Sequence, residues 1–505
     1  MLAFPAYDFG FLAWIGMIPL LIALNGKSCL KGFCLAQVCG MLVMMGAFQW
    51  ILEVEKYTIL HHVLLTLYFG AYFGLFGLIF CFISKRKGST AAFLSAPFIW
   101  VSLEYLKSHM SFMALPWILL GHSQYRYSAV IQISAITGTF GVSFLIVMAN
   151  SALAWGISEL FSASGISLKN INPNGIRKIG IVLMPAIFLV AAVLIYGHTR
   201  LAESISGKKV KVAVVQGNID PSIKWDPKYS GSIMKIYTDL TRQSITDKPD
   251  LVVWPESATP GSVTRHQNLS IMIAALARQV SALIIFGSTM QGKFKQNNTI
   301  KLKYHNSAFL ISQTSIPKEN NRYNKIRLLP FGEYLPYKDT IPWSWLGISK
   351  VGDFVPGDRL TVFRLPGFRF GVTICWEDIF PGLVRQLVQN GAQLIINITN
   401  EAWFGETAAP YQFLSMSVFR AVENRVFVVR CANTGISCFI DPAGRIVSRV
   451  TGLNGQDIFV RGVLTGTVIP LDSKTLYNRF GDWLVWLSIL ISLFFLLSAM
   501  RGKQP

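Results

Sequence analysis

Long stretches without a charged residue constrain this chain more than any other feature of its sequence. A helix needs about 20 mainly apolar residues to cross the hydrocarbon core of a membrane, and a charge at its centre costs roughly 2.5–3.5 kcal/mol. Six charge-free stretches lie between Asp8 and Lys27, Lys31 and Glu53, Lys56 and Lys85, Arg126 and Glu159, Lys178 and Arg200, and Asp482 and Arg501. A seventh, from Ala91 to Lys107, is interrupted by Glu104. One such stretch could be a buried core helix, but six together predict a bundle of membrane-spanning helices.

The low charge content agrees with a membrane location. Charged residues make up 14% of the 505 residues, against about 25% in soluble domains. This shortfall excludes a disordered chain, a coiled coil and an ordinary cytosolic enzyme, and it leaves a membrane protein with at least one soluble part.

The cysteines and histidines suggest no metal centre. The chain has seven Cys without a CxxC pair, and its seven His form no cluster with them. We therefore predict neither a metal nor a cofactor. Cys431 and Cys438 flank a turn and could pair in an oxidising compartment, but we expect free buried thiols.

The positions of Lys and Arg predict which loops face the cytoplasm, because short cytoplasmic loops carry an excess of these residues. Basic loops alternate with the predicted spans at Lys27 and Lys31, at Lys85 to Lys87, at Lys169, Arg177 and Lys178, and at Arg501 and Lys503. This alternation predicts a cytoplasmic C-terminus and places residues 200–482 outside. It also explains much of the formal net charge of +20.

Seven spans with a cytoplasmic C-terminus would place Met1 outside. The chain opens on Leu2-Ala3-Phe4-Pro5, without the basic flank of a signal peptide. Either the N-terminus lies outside, or one helix is missing from this version of the chain.

A further group of basic residues lies between Lys293 and Arg327. Basic clusters can bind nucleic acid, but outside a membrane the stronger hypotheses are anionic lipid headgroups or a plain solvated surface. We therefore expect no nucleic-acid partner.

Residues 210–470 follow a different pattern from the apolar stretches. Short β-rich runs, such as Ser307–Ile311 and Leu394–Ile398, alternate with helical stretches such as Pro410–Asn424. This alternation is typical of a layered α/β domain.

The fold class that we predict is a multi-span α-helical membrane bundle plus an α/β soluble domain. The bundle takes residues 1–200, a polar linker takes 201–209 and the catalytic domain takes 210–470. A juxtamembrane segment at 471–482 leads to a C-terminal transmembrane helix at 483–500.

Polar residues stand near the ends of several predicted strands, where open α/β folds bind their ligands. Glu256 follows one strand, Lys325 and Glu333 belong to a polar loop, and Cys375 ends an apolar strand just before a helical stretch. An acid, an amine and a thiol can therefore meet at one place in the fold.

These residue types suit attack by a thiol on a carbonyl carbon. Amides at a helix N-terminus would lower the pKa of Cys375 below its usual value of about 8.5. Glu256 could take the thiol proton and return it to the leaving group, and Lys325 could stabilise the oxyanion. Glu333 could hold the lysine or act as a second acid. Cys375 taken alone is more often an inert buried thiol, so only the combination favours catalysis.

At these residues the sequence resembles the nitrilase superfamily, and over nearly its whole length it resembles the membrane-bound branch, the apolipoprotein N-acyltransferases. The motifs that carry the resemblance are Leu2 to Pro5, Pro116-Trp117, Gly141 to Leu145, Val253 to Glu256, Leu329 to Glu333, Ile374 to Glu377, Asn400 to Phe404 and Arg430 to Gly435. Each motif alone is weak, but in this order and beside this bundle they are specific. The family usually has one more N-terminal helix, which agrees with the second of the two alternatives above, a start at an internal Met.

The resemblance implies a nitrilase-like αββα sandwich with a catalytic triad of Glu256, Lys325 and Cys375. It also implies a ping-pong reaction, in which Cys375 takes the sn-1 acyl chain of a phospholipid, typically phosphatidylethanolamine. The α-amino group of the N-terminal diacylglyceryl-cysteine of an apolipoprotein then attacks the thioester, in the last step of bacterial lipoprotein maturation. We expect a monomer in the bacterial inner membrane, with its catalytic domain on the periplasmic side.

By the same resemblance, several residues support the triad. Glu377 would support the thiol, Glu333 would assist the lysine, and Trp225 and Trp403 would guard the substrate pocket. Trp376, after the nucleophile, departs from the family's usual Tyr, so ring stacking can survive while the phenol hydrogen bond is lost.

Aromatic residues between Ile341 and Leu346, among them Trp343 and Trp345, follow the lysine loop. Such side chains suit a membrane interface, so this segment could form a lid or a lipid entry. A loop packed in the domain core is the equal alternative.

Three other functions remain open from the residues. A membrane-tethered amidase of the nitrilase type would use the same triad to hydrolyse a small amide. A Cys-His enzyme would pair Cys375 with His305 or His266. A transporter or receptor should carry functional charges inside its spans, where only Glu104 occurs.

Overall fold

The computed structural model describes residues 1–164, 173–296, 299–312, 321–348, 352–472 and 474–501. Its helices are α1 (Ile18–Leu24), α2 (Cys29–Ala47), α3 (Ile59–Lys87), α4 (Ser89–His109), α5 (Ser128–Ile131), α6 (Ser134–Thr137), α7 (Thr139–Ser164), α8 (Pro173–Leu201), α9 (Ser230–Gln243), α10 (Gln267–Val280), α11 (Pro381–Gln389), α12 (Ala409–Asn424), α13 (Leu476–Phe480) and α14 (Trp483–Arg501). Its strands are β1 (Val210–Gln216), β2 (Leu251–Val253), β3 (Leu283–Gln296), β4 (Thr299–Ile311), β5 (Arg322–Asn324), β6 (Val362–Leu365), β7 (Phe368–Ile374), β8 (Leu394–Thr399), β9 (Phe427–Ala432), β10 (Cys438–Ile440), β11 (Ile446–Arg449) and β12 (Gly462–Val468).

The chain forms two compact units. One consists of Met1–Glu203 with Phe480–Pro505, and the other of Ser204–Arg479. Two residues of the predicted basic loops, Lys169 and Lys503, lie outside the described residues.

The first unit contains the membrane helices. Within the described residues, five helices are long and apolar enough to cross a membrane: α2, α3, Thr139–Leu160 of α7, Gly180–Leu201 of α8, and α14. They fall in five of the six charge-free stretches and make the chain a membrane protein. Four of these five helices belong to the part of the chain where about six spans are expected, and α1 and α4 lie in the other two expected spans.

Two of the charge-free stretches are not continuous helices. The stretch after Asp8 is divided into a 3-10 helix, Gly10–Trp14, and the short helix α1 of 7 residues. Pro19 lies in the first turn of α1, where proline is tolerated because the N–H it lacks would be unpaired there. The stretch after Arg126 is broken at Gly138, whose φ of 69° ends α6 before α7 begins.

Helices α2 and α3 pack closely because small residues line their contact. Gly32, Ala36 and Gly40 recur at every fourth position of α2 and are buried. A Cβ at Gly77 of α3 would clash with the carbonyl oxygen of Gly32 and lie 2.7 Å from the Cβ of Ala36. Small residues of this kind let two helices approach closely. Close packing matters in lipid because the hydrophobic effect does not drive helices together there.

Helix α4 carries two buried charged residues, Glu104 and Lys107, which are 5% and 4% exposed. Oε1 of Glu104 accepts a hydrogen bond of 2.7 Å from the backbone N–H of Leu120. Nζ of Lys107 donates one of 2.8 Å to the carbonyl oxygen of Trp117. Both charges therefore hold the irregular segment that follows α4.

The second unit contains two six-stranded sheets, in the orders β12-β1-β2-β3-β4-β5 and β11-β10-β9-β8-β7-β6. Strands β1 to β3 pair in parallel, as do β7 to β9. Every residue of β8 and β9 is buried, as expected for parallel strands that are covered on both faces. Apolar residues of α9 and α10 form a core with β1 to β3, and Leu387 of α11 packs on Gly371 of β7. The predicted membrane bundle with an αββα domain is confirmed.

The strand directions gather polar residues at the sheet edges. Strand β5 is antiparallel to β4, which is antiparallel to β3, so β5 ends at the same edge as β2. Glu256 and Lys325, which follow β2 and β5, therefore share one edge of the first sheet. Cys375 and Asn400 follow the adjacent parallel strands β7 and β8 of the second sheet.

Candidate active site

Glu256 occupies a tight turn after β2. Trp254, which precedes it, is fully buried and stacks on Tyr237 with ring centroids 5.0 Å apart. A Cβ at Gly287 of β3 would lie 2.5 Å from the backbone nitrogen of Ser257 and 2.6 Å from Cα of Glu256. Glycine is therefore required in β3 for the turn that carries Glu256 to pass so close.

Both carboxylate oxygens of Glu256 are held by neutral donors. Oε1 accepts a hydrogen bond of 2.7 Å from Nδ2 of Asn306, and Oε2 accepts one of 2.9 Å from the backbone N–H of Asn400. The second of these bonds joins the edge of one sheet to the edge of the other. The carboxylate of Glu256 therefore has a fixed orientation at the junction of the two sheets.

Lys325 is 1% exposed and contacts two carboxylates. Its Nζ lies 3.0 Å from each carboxylate oxygen of Glu333 and 3.5 Å from Oε1 of Glu256. Burial alone would lower the pKa of Lys325, but Glu333, Cys375 and Glu256 together raise it well above its ordinary value. The lysine is therefore a permanent positive charge.

Asn306 is a site residue that the sequence did not predict. Its Nδ2 donates to Oε1 of Glu256 and, at 2.8 Å, to Oε1 of Glu333, and its backbone oxygen accepts from the N–H of Lys325 at 2.8 Å. It lies inside β4, one residue before the predicted strand Ser307–Ile311. The sequence pattern places ligand-binding residues at the ends of strands, whereas Asn306 lies where a strand is predicted to begin.

Cys375 lies at the end of β7 in an unusual backbone conformation. Its φ is 57°, a left-handed value that costs a non-glycine residue about 1–3 kcal/mol and is common at functional sites. Its side chain is buried, and its backbone oxygen accepts a hydrogen bond of 3.1 Å from Nδ2 of Asn397.

The pKa of Cys375 is raised, which overturns the expectation that helix amides would lower it. Burial is the main cause, the charge of Glu256 adds to it, and Lys325 opposes it. The segment that follows is a 3-10 helix of only 5 residues, Cys375–Ile379, too short for a substantial macrodipole. The raised pKa favours the protonated thiol over the thiolate.

Glu377 binds backbone groups on both sides of the site. Oε1 accepts hydrogen bonds from Tyr323 Oη (2.9 Å) and from the N–H groups of Ile326 (2.7 Å) and Arg327 (2.9 Å). Oε2 accepts one of 2.8 Å from the N–H of Ile374. Burial raises the pKa of Glu377 to about 7, and these hydrogen bonds oppose the shift. Glu377 thus fixes the segments next to Lys325 and Cys375 relative to each other.

Trp376 keeps a polar contact despite its departure from the usual Tyr. Its indole N–H donates to the carbonyl oxygen of Arg327, and its ring packs edge-on against Phe380 with centroids 5.1 Å apart. An indole hydrogen bond therefore exists where the loss of a phenol bond was expected.

Lys224 is a second lysine of the site that the sequence did not predict. It lies in the loop after β1, is 3% exposed, and its Nζ donates to the carbonyl oxygen of Glu256 at 3.4 Å. Burial lowers the pKa of Lys224 to about 8, while the charges of Glu256 and Cys375 oppose the shift. In sequence it resembles any solvated loop lysine, and the adjacent Trp225 is the residue of this loop for which a role is predicted.

The four predicted substrate-binding tryptophans lie in loops and short turns. Trp225 and Trp403 are 48% and 49% exposed, and Trp345 is 86% exposed, which excludes a core position for that side chain. Trp343 is partly buried, donates to the carbonyl oxygen of Pro336 at 2.6 Å and packs edge-on against Phe331.

The structure does not favour a Cys-His pair. Nδ1 of His305 is hydrogen-bonded to the carbonyl oxygen of Val355 at 2.8 Å, and successive side chains of a strand point to opposite faces, so His305 points away from its neighbour Asn306. The charged groups that act on Cys375 include Glu256, Lys325 and Glu333. Cys431 and Cys438 are free buried thiols. Among the described residues, no group of three or more His, Cys, Asp or Glu side chains could hold a metal ion.

Comparisons with known proteins match both units. Residues 211–468 match the carbon-nitrogen hydrolase family, and residues 1–152 match the apolipoprotein N-acyltransferase N-terminal domain. Apolipoprotein N-acyltransferase of Geobacter metallireducens is 37% identical over 492 residues, which cover 96% of this chain and 90% of that protein. The enzyme of the same name from Chlorobaculum tepidum is 28% identical over 503 residues, with coverages of 95% and 90%.

Among solved structures, an amidase of the nitrilase superfamily from Nesterenkonia AN1 aligns with 55% of this chain and 97% of its own, at 18% identity and a TM-score of 0.40. The resemblance found in the motifs is confirmed by the sequence relatives, which extend over nearly the whole chain. The chain belongs to the apolipoprotein N-acyltransferase family.

Proposed function

We propose that this chain transfers an acyl chain from a phospholipid to the α-amino group of the N-terminal diacylglyceryl-cysteine of apolipoproteins, through a thioester on Cys375. The observation that carries the proposal is the cluster of a buried thiol, a fixed carboxylate and a permanent ammonium where the two sheets meet. The names of the sequence relatives supply the type of acceptor and the reaction class.

In the first half-reaction, Glu256 takes the thiol proton of Cys375 while Sγ bonds to the carbonyl carbon of the sn-1 ester. Lys325 stabilises the oxyanion of the tetrahedral intermediate. When the bond from carbon to the glycerol oxygen breaks, Glu256 returns the proton to that oxygen. A lysophospholipid leaves, and the acyl chain stays on Cys375 as a thioester.

In the second half-reaction, the α-amino nitrogen of the diacylglyceryl-cysteine attacks the thioester carbon. Glu256 takes one proton from the nitrogen, the C–S bond breaks, and the proton passes to the sulfur of Cys375. The amide product is a triacylated lipoprotein. The contacts of Glu333 with Lys325 support a role in holding the ammonium, and those of Glu377 support a role in positioning the thiol segment.

The setting of the reaction is part of the same proposal. The basic loops favour an inner-membrane protein with a cytoplasmic C-terminus and a periplasmic catalytic domain. Phosphatidylethanolamine is the acyl donor, and the enzyme works as a monomer. The lipid chains of the two substrates contact four tryptophans, Trp225, Trp403, Trp343 and Trp345. Indole side chains suit such a position because they combine a large apolar ring with a polar N–H.

The test uses the purified full chain and a phospholipid labelled in its sn-1 chain. We expect a hydroxylamine-sensitive adduct on Cys375 and an equal amount of lysophospholipid, with transfer of the label when a diacylated lipopeptide is added. Cys375→Ser should abolish the adduct, because a hydroxyl is a poorer nucleophile with the same base. The matched control is Cys34→Ser, which changes an exposed thiol distant in sequence from Cys375. This variant should still form the adduct.

Persistence of the adduct in Cys375→Ser would contradict the assignment of the nucleophile. Release of free fatty acid without transfer to the lipopeptide would instead favour a hydrolase, as in the alternative of a membrane-tethered amidase.

A further inference from the structure

The two lysines of the site differ in how their N–H donors are used. An ammonium has three donors, and those of Lys325 face the two carboxylates of Glu333 and Glu256. Lys224 is almost as deeply buried, yet its hydrogen bond to the carbonyl oxygen of Glu256 is long, at 3.4 Å. Among the described residues, its other polar or aromatic contact is with the ring of Trp225, whose centroid is 5.9 Å from Nζ.

Buried polar groups are normally fully hydrogen-bonded, and those that are not call for an explanation. Lys224 retains donor capacity beside Glu256 and within electrostatic reach of Cys375. A lysine with a purely structural role would be expected to have a carboxylate or several carbonyl oxygens as partners. The arrangement around Lys224 instead matches a cation that receives a partner when substrate binds.

The loop that carries Lys224 is well fixed. Asp220 accepts hydrogen bonds from the backbone N–H of Ser222 at 2.8 Å and from its hydroxyl at 2.7 Å. Oδ1 of Asn433 accepts from the N–H of Ile219 at 2.9 Å, which ties the loop to the end of β9. These hydrogen bonds therefore hold Lys224 in place before substrate binds. With a pKa of about 8, the amine is mainly protonated at neutral pH.

The chemistry of the acyl donor indicates the partner. In a phospholipid, the phosphate is only a few covalent bonds from the sn-1 ester, so an ester at Cys375 brings an anion close to it. Lys224 has N–H donors that the described residues leave unused, so it can bind that anion. The adjacent Trp225, 48% exposed, offers an apolar surface beside this cation, as an amphipathic donor requires.

We propose that Lys224 binds the phosphate of the acyl-donor phospholipid while the sn-1 ester lies against Cys375. The proposal rests on the function proposed above and adds the recognition of the donor. Lys224 contributes to donor binding, and the oxyanion is stabilised by Lys325.

The experiment compares Lys224→Met with the unchanged full chain on two acyl donors. One donor is phosphatidylethanolamine, and the other is p-nitrophenyl palmitate, a neutral ester without phosphate. Loss of one charge-assisted hydrogen bond should lower kcat/KM for phosphatidylethanolamine by about 10- to 100-fold, mainly through KM. Acylation by the neutral ester should change by less than about threefold. Lys224→Arg should recover part of the loss, because the positive charge is kept.

Two further measurements separate this role from a structural one. Lys228→Met, which changes an exposed lysine of the same loop, should leave both donors unaffected. The thermal midpoint of Lys224→Met should equal or exceed that of the unchanged chain, because a buried ammonium with one long hydrogen bond is removed.

An equal loss on both donors, no loss on either donor, or a large fall in thermal midpoint would each overturn the phosphate contact. If the unchanged chain forms no thioester with phosphatidylethanolamine, the proposed function fails and this inference fails with it. If that thioester forms normally and Lys224→Met behaves like the unchanged chain, only this inference fails.

Discussion

At the scale of single residues, the protonation state of Cys375 decides how the site must work. Burial and the nearby carboxylate raise the pKa of this thiol, so little thiolate exists at neutral pH. A thiol of this kind differs from exposed reactive cysteines, whose low pKa makes them nucleophilic without help. Under the proposed mechanism a base has to act during the attack, and Glu256 is the carboxylate whose orientation is fixed by Asn306 and Asn400.

Glu256→Gln should therefore slow acylation of Cys375 by about 10²- to 10⁴-fold at neutral pH. Since the raised pKa of the thiol leaves it protonated, the thiolate fraction of the variant should grow as pH rises, and part of the rate should return. The measurement is single-turnover release of lysophospholipid between pH 6 and pH 10. Glu406→Gln, at an exposed loop position, is the matched control and should behave like the unchanged chain. A Glu256→Gln variant that acylates at the full rate near pH 7 would exclude Glu256 as the base.

The sequence predicted the candidate site residues from two patterns. Glu256 and Cys375 were predicted because a polar residue at the end of an apolar run is visible without a structure, and Lys325 and Glu333 because they belong to a polar loop. Lys224 was missed because its burial comes from a turn more than 30 residues away in sequence, at Glu256. The expected direction of the pKa shift of Cys375 was also wrong, because desolvation of the thiol depends on how the whole domain folds over the end of the strand.

At the scale of secondary-structure elements, Arg430 of β9 connects several segments behind the site. It is fully buried, and its guanidinium lies 2.5 Å from Oε1 of Glu401 and 3.6 Å from Oδ2 of Asp378. It also donates to Ser417 of α12 at 2.6 Å and to Oδ1 of Asn397 in β8 at 3.2 Å. One side chain thus joins two strands, a helix and the 3-10 turn that follows Cys375.

Arg430→Met should lower the free energy of unfolding by about 3–5 kcal/mol, because it leaves two buried carboxylates without their cation. Thermal unfolding of the full chain, followed by activity and by intrinsic fluorescence, measures the loss. Arg369→Met breaks the surface ion pair with Asp472, whose side chains are 34% and 68% exposed, and it should change stability by less than about 1 kcal/mol. Similar effects of the two changes would contradict a special role for the buried network.

Element boundaries were predicted well where strands are apolar and poorly where they are polar. Strand β8 was expected at Leu394–Ile398 and ends at Thr399. Strand β4 was expected to begin at Ser307 and begins at Thr299. Its first half pairs with β3 in a long two-stranded ladder, and such pairing depends on backbone hydrogen bonds that leave no apolar pattern in the sequence.

At the scale of the whole molecule, charge-free sequence does not specify a continuous helix. A lack of charge permits insertion, but α1 is only 7 residues long, and Gly138 ends α6 before the long helix α7 begins. The division into a helical bundle and an α/β domain was predicted correctly, since it depends on the overall pattern of apolar residues and not on individual helix ends.

Orientation in the membrane is a prediction that reporter fusions can check. A reporter fused after Lys87 should behave as cytoplasmic, and one inserted near Gly207 should behave as exported, because Lys85 to Lys87 form a basic loop. A periplasmic phosphatase and a fluorescent protein that folds only in the cytoplasm give opposite signals for the two sites. The reverse pair of results would invert the proposed orientation and separate the thiol from its substrates.

The two buried charges of α4 have a consequence for the order in which the chain is assembled. Glu104 and Lys107 find their partners at Leu120 and Trp117, which leave the ribosome only after α4 itself. A charge at the centre of a lone helix costs roughly 2.5–3.5 kcal/mol in lipid. Glu104 and Lys107 lie in the last two turns of α4 and bear part of that cost, so α4 gains less from entering the bilayer by itself. A nascent chain stopped after His109 should therefore leave α4 in contact with the insertion machinery, as crosslinking can detect. Release into lipid has to wait for the following segment, which makes the biogenesis of α4 cooperative with residues translated later.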